Sequence, residues 1–182
     1  MDEGEVHSRL RNDFLSSIGD PHFKDGCIFC KIAQGKEPKA KILFQNEAAC
    51  VFHDIRPSTK EHLLIIPKSH HGNVKSLDKC QIPLVQYLHV YQVGEAVLEA
   101  RGGNIADARV GFHWPPFNTI DHLHLHVVYP TSEMNLLGKI MNRPNSFWFV
   151  TYEWALNWLQ KKKETPQETP QESQTEISEL QE

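Results

Sequence analysis

Residues 121–130, DHLHLHVVYP, alternate polar and apolar side chains with a strict period of two. On an extended strand, positions i, i+2 and i+4 share one face. His122, His124 and His126 are therefore expected to line one face over about 13 Å, with Leu123, Leu125 and Val127 on the other. Three imidazoles so arranged admit two chemistries. His-x-His on a strand chelates a metal well. An imidazole with an ordinary pKa near 6.5 is also partly neutral at pH 7, so it can attack phosphorus while a neighbour protonates the leaving group. The spacing leaves both open.

Outward from this strand the signals alternate between strand and helix. KILFQ (41–45) and AACVFHD (48–54) read as short strands across the turn-like Asn46-Glu47, and HLLIIP (62–67) as a buried strand stopped by Pro67. Ile82, Val85, Tyr87 or Leu88, Tyr91 and Leu98 recur at helical intervals, predicting one long helix over 82–101 that Gly102-Gly103 would end. DARVGFH (107–113) and SFWFV (146–150) read as strands and MNLLGKIM (134–141) as a short helix. Thr151 caps a C-terminal helix, YEWALNWLQKKK, with Glu153 early and lysines late. This order predicts an α+β domain with a mainly antiparallel sheet.

The ends differ from this middle. Residues 161–182 carry a short ETPQ repeat, no aromatic side chain and few apolar ones, so they predict a disordered acidic tail. Residues 1–24 predict a flexible N-terminal segment, which leaves 25–160 as one domain. The whole chain has 182 residues, 40% of them apolar, and a formal net charge of -4. Such a charge gives no general attraction to nucleic acid or anionic membrane. No apolar run approaches the roughly 20 residues that span a bilayer. The N-terminus, MDEGEVHSRLRND, lacks the apolar centre of a secretory signal, so the expected compartment is the cytoplasm, with or without the nucleus. Four cysteines suit a reducing compartment. Cys27 and Cys30 form a C-x-x-C pair that points to metal or redox chemistry, Cys50 in AACVF reads as a core thiol, and Cys80 has no assigned role.

HLHLHVV at 122–128 matches His-φ-His-φ-His-φ-φ, where φ is apolar, and on it the chain resembles the histidine-triad family. CIFCKI, GKEPKA, FHDIRP and HLLIIPKSH follow that family's blocks in its order, over roughly residues 25–130. RVGFHWPPF and NSFWFVT resemble its aprataxin-like branch. The chain departs from the smallest members by carrying Gly111 where they have Asn, and Thr119 where they have Ser.

The resemblance implies a HIT-like fold and an adenosine 5'-phosphoramidase. Such an enzyme also acts on acyl- or aminoacyl-adenylates, and releases AMP through a covalent AMP-histidine intermediate. In it His124 is the nucleophile, His126 the proton donor or orienting partner, and His62 a further active-site histidine. Asn118 and Thr119 would hold the α-phosphate and Asp54 the ribose hydroxyls. Ile28, Phe29, Ile32, Phe52 and Ile55 would wall the base, with His53 beneath it. Zinc-bearing members imply a structural zinc on Cys27, Cys30, His122 and either His70 or His71. No organic cofactor is implied, and a homodimer is. The other readings are hydrolysis of DNA adenylates or dinucleoside polyphosphates, and a non-catalytic nucleotide-binding scaffold.

Overall fold

The computed structural model describes residues 21–89 and 93–163. Six strands form one antiparallel sheet: β1 (Ile42–Gln45), β2 (Ala49–His53), β3 (Glu61–Pro67), β4 (Arg109–His113), β5 (Leu125–Tyr129) and β6 (Phe149–Thr151). Their spatial order is β1-β2-β3-β5-β4-β6. The short helix α1 (Ile28–Ala33) covers one face. The helices α2 (Ile82–His89), α3 (Gly94–Ala100) and α5 (Tyr152–Lys161) contribute to the core on the other, and α4 (Leu136–Met141) lies before β6.

Pleating sorts the side chains between two apolar layers. Val51, Leu63, Ile65, Leu125 and Val127 meet Leu84, Val85, Leu88, Leu98, Ala155 and Leu159 on the helical side. Cys50, Phe52, Leu64 and Ile66 meet Phe29, Ile32 and Ala33 on the other. Every residue of β3 is buried because this central strand is covered on both faces, which is why it reads as a continuous apolar run. Each large side chain so enclosed contributes about 1.5–3 kcal/mol.

Three expectations need correction. The single helix over 82–101 is two helices, with residues 90–92 outside the described residues. The ladder of β5 starts only at Leu125, so His122 and His124 stand in its lead-in. The pleat nevertheless holds, since Leu123 is buried in the same layer as Leu125 and Val127. The domain also reaches beyond 25–160 at both ends. The backbone of His22 bonds to Ser69 Oγ (3.0 Å) and to the His70 amide (2.6 Å). Lys162 donates to the Leu77 carbonyl (2.6 Å) and pairs with Asp78 at 3.0 Å. Residues 1–20 and 164–182, the rest of the two expected flexible ends, lie outside the described residues.

The last helix forms as its sequence predicts. The Thr151 hydroxyl accepts from the Trp154 amide at 3.2 Å, and Ala155 and Leu159 are fully buried. Trp154 and Trp158 each meet the edge of Trp114, at 5.1 and 5.0 Å between ring centroids. Among the described residues no helix is long and apolar enough to cross a membrane.

Candidate active site and metal centre

The three triad histidines are buried on the α1 side of the sheet. Each has a different neighbourhood. His124 donates from Nδ1 to the carbonyl oxygen of His122 at 2.6 Å, because a carbonyl can only accept. Its other nitrogen, Nε2, therefore carries the lone pair while the ring is neutral. Burial pushes its pKa below the ordinary imidazole value, against the His122 carbonyl and Asp54, which raise it. Phe29 of α1 meets the ring edge-on at 5.3 Å.

His126 lies deeper on β5, paired across the sheet with Leu64 and Gly111. His62 on β3 sits beside it, with Nε2 2.9 Å from His126 Nδ1. The tautomers follow from one backbone group. The Ser58 amide donates to His62 Nδ1 at 3.1 Å, so neutral His62 keeps its proton on Nε2. That proton is donated to His126 Nδ1, so the proton of neutral His126 is on Nε2, which has no hydrogen-bond partner among the described residues. Burial holds both rings neutral, lowering the pKa of His62 and carrying that of His126 well below the usual value. Asp54 closes this end, with Oδ2 3.6 Å from His62 Nε2 and 3.9 Å from His126 Nδ1. Its Oδ1 accepts from the Arg56 amide at 2.7 Å, which holds the carboxylate in place.

His122 belongs to another group. Its Nδ1 is 3.5 Å from both Cys27 Sγ and Cys30 Sγ and 3.3 Å from His70 Nδ1, and Cys30 Sγ is 3.4 Å from His70 Nδ1. A tetrahedron with Zn–S about 2.3 Å and Zn–N about 2.0–2.1 Å has S···N edges of about 3.5 Å and an N···N edge of about 3.3 Å. The donor atoms already stand at those separations. His122 Nε2 donates to the Pro67 carbonyl at 3.0 Å, which turns its lone pair toward the sulfurs. The Lys24 amide donates to Cys30 Sγ at 3.4 Å. Of the two candidate histidines it is His70 that stands beside the thiols, while His71 Nδ1 accepts from Gln81 Nε2 at 2.9 Å. The four residues fit a closed Cys2His2 ion site.

Phe29, Ile32 and Phe52 pack in one layer on the triad side with Ile28 half-buried beside them. Ile55, expected in the same wall, and His53, expected beneath the base, do not join them. Ile55 is 94% exposed, because it follows the end of β2 in the open turn to β3. His53 is paired with Leu63 and shares its face, so the pleat turns it away from the triad. Thr119 is exposed in the loop before His122, and Asn118 donates to the Ile120 carbonyl at 3.3 Å.

Three contributors were missed by the sequence reading. His113, at the end of β4, meets His126 edge-on at 4.7 Å, and its buried Nδ1 has no hydrogen-bond partner among the described residues. Burial, with His124 nearby, takes its pKa to about 4. Phe149 of β6 packs on His113 at 5.2 Å. Ser58 acts through its amide. The alternation in Arg109–His113 was a signal for His113, since it puts His113 on the same side as Gly111, opposite His126. No sequence signal marks a backbone amide.

The family model described as "Scavenger mRNA decapping enzyme C-term binding" matches residues 26–142. The adenosine 5'-monophosphoramidase HINT3 of Mus musculus is 39% identical over 142 residues, covering 77% of this chain and 85% of its own. The chain belongs to the histidine-triad family. The adenosine 5'-monophosphoramidase HINT3 of Xenopus tropicalis is also 39% identical, over 74% of this chain and 87% of the relative. A solved HIT family hydrolase from Clostridium thermocellum superposes with a TM-score of 0.53 at 29% identity, covering 58% of this chain and 90% of that one. Within this histidine-triad fold Gly111 has a packing reason. A Cβ there would run into the Val150 carbonyl oxygen and stand 2.8 Å from the Phe149 ring. The approach of β6 to β4 leaves no room for an Asn side chain.

Proposed function

We propose that this histidine-triad protein is a hydrolase that cleaves AMP from adenosine 5'-phosphoramidates, such as AMP-lysine, and from acyl- or aminoacyl-adenylates. The observation that carries the reading is the His124 bond to the His122 carbonyl. It leaves Nε2 unprotonated in a buried ring that stays neutral at pH 7. That nitrogen attacks the α-phosphorus, and the bond from phosphorus to the leaving group breaks with its electron pair on the departing nitrogen or oxygen. The leaving group takes a proton delivered through His126 Nε2. Water then attacks the phosphorus, the bond to His124 breaks, and AMP leaves as the water proton returns to His126. Asp54, beside His62 and His126, accepts from the ribose hydroxyls, and the apolar layer of Phe29, Ile32 and Phe52 meets the base. The amides of the 118–119 loop and the Thr119 hydroxyl face the phosphoryl oxygens.

Cys27, Cys30, His70 and His122 hold a structural zinc in this proposal. With four protein ligands the ion keeps no open position for substrate, so it stabilises the fold and anchors the start of the triad strand. The 39% identity to relatives named adenosine 5'-monophosphoramidase supports the substrate class. Changing His124→Ala is expected to lower kcat at least about 10³-fold while AMP still binds. Mass spectrometry after rapid quenching should find AMP on His124 of the wild type. Near-normal turnover by the His124→Ala protein would remove the covalent mechanism.

A further inference from the structure

Helix α4 is attached to the domain in an unusual way for so short an element. Its outer side chains Leu136, Leu137 and Ile140 are 76%, 68% and 50% exposed, so apolar burial does not explain its placement. Polar contacts do, and they converge on Ser58. Asn142, the C-cap residue, is only 1% exposed and donates from Nδ2 to Ser58 Oγ at 2.9 Å and to the Gly138 carbonyl at 3.0 Å. The second bond orients the amide, since the carbonyl can only accept. The Asn135 amide donates to the Ser58 carbonyl at 3.1 Å. Gly138 leaves the space that Ser58 fills, because a Cβ there would stand 2.5 Å from Ser58 Cβ. Arg109 of β4 ties the far end of the helix to the sheet, donating to the carbonyls of Lys139 and Asn142, each at 3.1 Å.

Ser58 is thus held at its hydroxyl, its carbonyl and its Cβ. What remains directed inward is its amide, and that amide meets His62 Nδ1. We propose that α4, through Asn142 and Ser58, is a positioning clamp that sets the tautomer of His62 and so keeps the proton of His126 on Nε2. The hydrogen bonds form a one-way series. Ser58 N–H donates to His62 Nδ1, and His62 Nε2–H donates to His126 Nδ1. His126 is left with its only proton on the nitrogen that has no partner among the described residues. Reversing either ring sets two donors or two lone pairs against each other, so the series holds only while the Ser58 amide keeps its direction. Asn142 and Ser58 touch no reacting atom in this scheme, and neither is a catalytic residue. The catalytic half of the inference rests on the hydrolase reading; the tautomer half does not.

The test uses the full-length, zinc-replete protein labelled with ¹⁵N-histidine. Long-range ¹H–¹⁵N correlation spectra of the wild type should show His62 and His126 both protonated at Nε2. In Asn142→Ala the His62 pattern should become mixed, while His124 keeps its proton on Nδ1. The same variant should lose about tenfold in kcat with AMP affinity within about twofold, since misplacement of a proton donor costs rate and not ground-state binding. Ser58→Ala removes the hydroxyl alone and should reproduce both effects if the Asn142 substitution folds poorly. The double variant should be no worse than either single change, as expected of two groups acting as one unit. Unchanged histidine spectra in Asn142→Ala and Ser58→Ala would overturn the clamp. A shifted His62 with wild-type kcat would overturn its catalytic use. If wild type itself turns over no AMP conjugate, the hydrolase reading fails, and the spectra still decide the clamp.

Discussion

Two groups of side chains on the same face of the sheet look alike and differ in chemistry. Cys27, Cys30, His70 and His122 bring four ligand atoms within 4.8 Å of one another, and Asp54, His62 and His126 bring three. Both pair imidazoles with groups that bind metal ions, and each takes one histidine from the same triad. The bond on the far side of each ring separates them. In the first, the Pro67 carbonyl takes the proton of His122 Nε2, so the lone pair on Nδ1 faces the sulfurs. In the second, the Ser58 amide fills the lone pair of His62 Nδ1, so Nε2 carries a proton and cannot ligate. The first group turns a free imidazole nitrogen to its thiols and can take a cation, while the second turns a proton to its neighbouring ring. Residue type and spacing do not distinguish these, whereas a single backbone carbonyl or amide does.

This contrast breaks most visibly at His126. Changing His126→Ala should lower kcat by about 10²–10³-fold, the range for a lost general acid, with zinc content and melting temperature almost unmoved. Loss of the metal on that substitution, followed by elemental analysis, would merge the two groups into one. The converse change is the double Cys27→Ser, Cys30→Ser. It should abolish a stoichiometry of about one zinc per chain and lower Tm by on the order of 10 °C, because metal affinity becomes folding free energy. The kcat of the protein that remains folded should stay within about fivefold. Zinc-free wild-type protein, freshly purified without chelator, would end the metal assignment.

Acid should act on the proton-carrying end through its neutral rings. The pKa of His113 in the folded chain is about 4, below its ordinary 6.5, so only the unfolded chain takes up that proton between these values. Stability is therefore fully present above pH 6.5 and falls as pH drops toward 4, by on the order of 3 kcal/mol from this residue at most. His62 and His126 act in the same direction. His113→Phe should flatten the decline, as measured by urea unfolding at pH 7 and pH 5. An unchanged slope would place the acid sensitivity elsewhere. The smallest effect belongs to residues 164–182, whose removal should leave zinc content and kcat alone and shift Tm by less than about 1 °C. Cutting before Thr151 instead removes the fully buried Ala155 and Leu159 and should give insoluble protein.

How far the site could be read in advance varied with the kind of contact. The shared face of the triad was legible because period-two alternation assigns faces on strands, whereas Asp54 and His62 were singled out only through the resemblance to the histidine-triad family. Cys27 and Cys30 were marked by C-x-x-C. The same alternation could have removed His53 and offered His113, since neither judgement needs more than the pleat. The long helix over 82–101 was misread because apolar spacing carries no mark of the bend at Val93. Ile55 was misplaced because a turn obeys no period. The part played by α4 and β6 was not legible at all.

The amino-acid sequence by itself determined the alternation that sets the triad on one face, the buried strand over 62–67, the capped last helix and the thiol pair. Each is set by local periodicity or by side-chain chemistry within a few residues. Only the tertiary structure decided that His70 and not His71 faces the thiols, that Gly111 is required by the approach of β6, and that Ser58 directs its amide at His62. Those three depend on contacts between residues 4 to 40 positions apart, two of them made by backbone groups that every residue carries. A group common to all residues leaves no mark in sequence, and the fold alone gives it a direction.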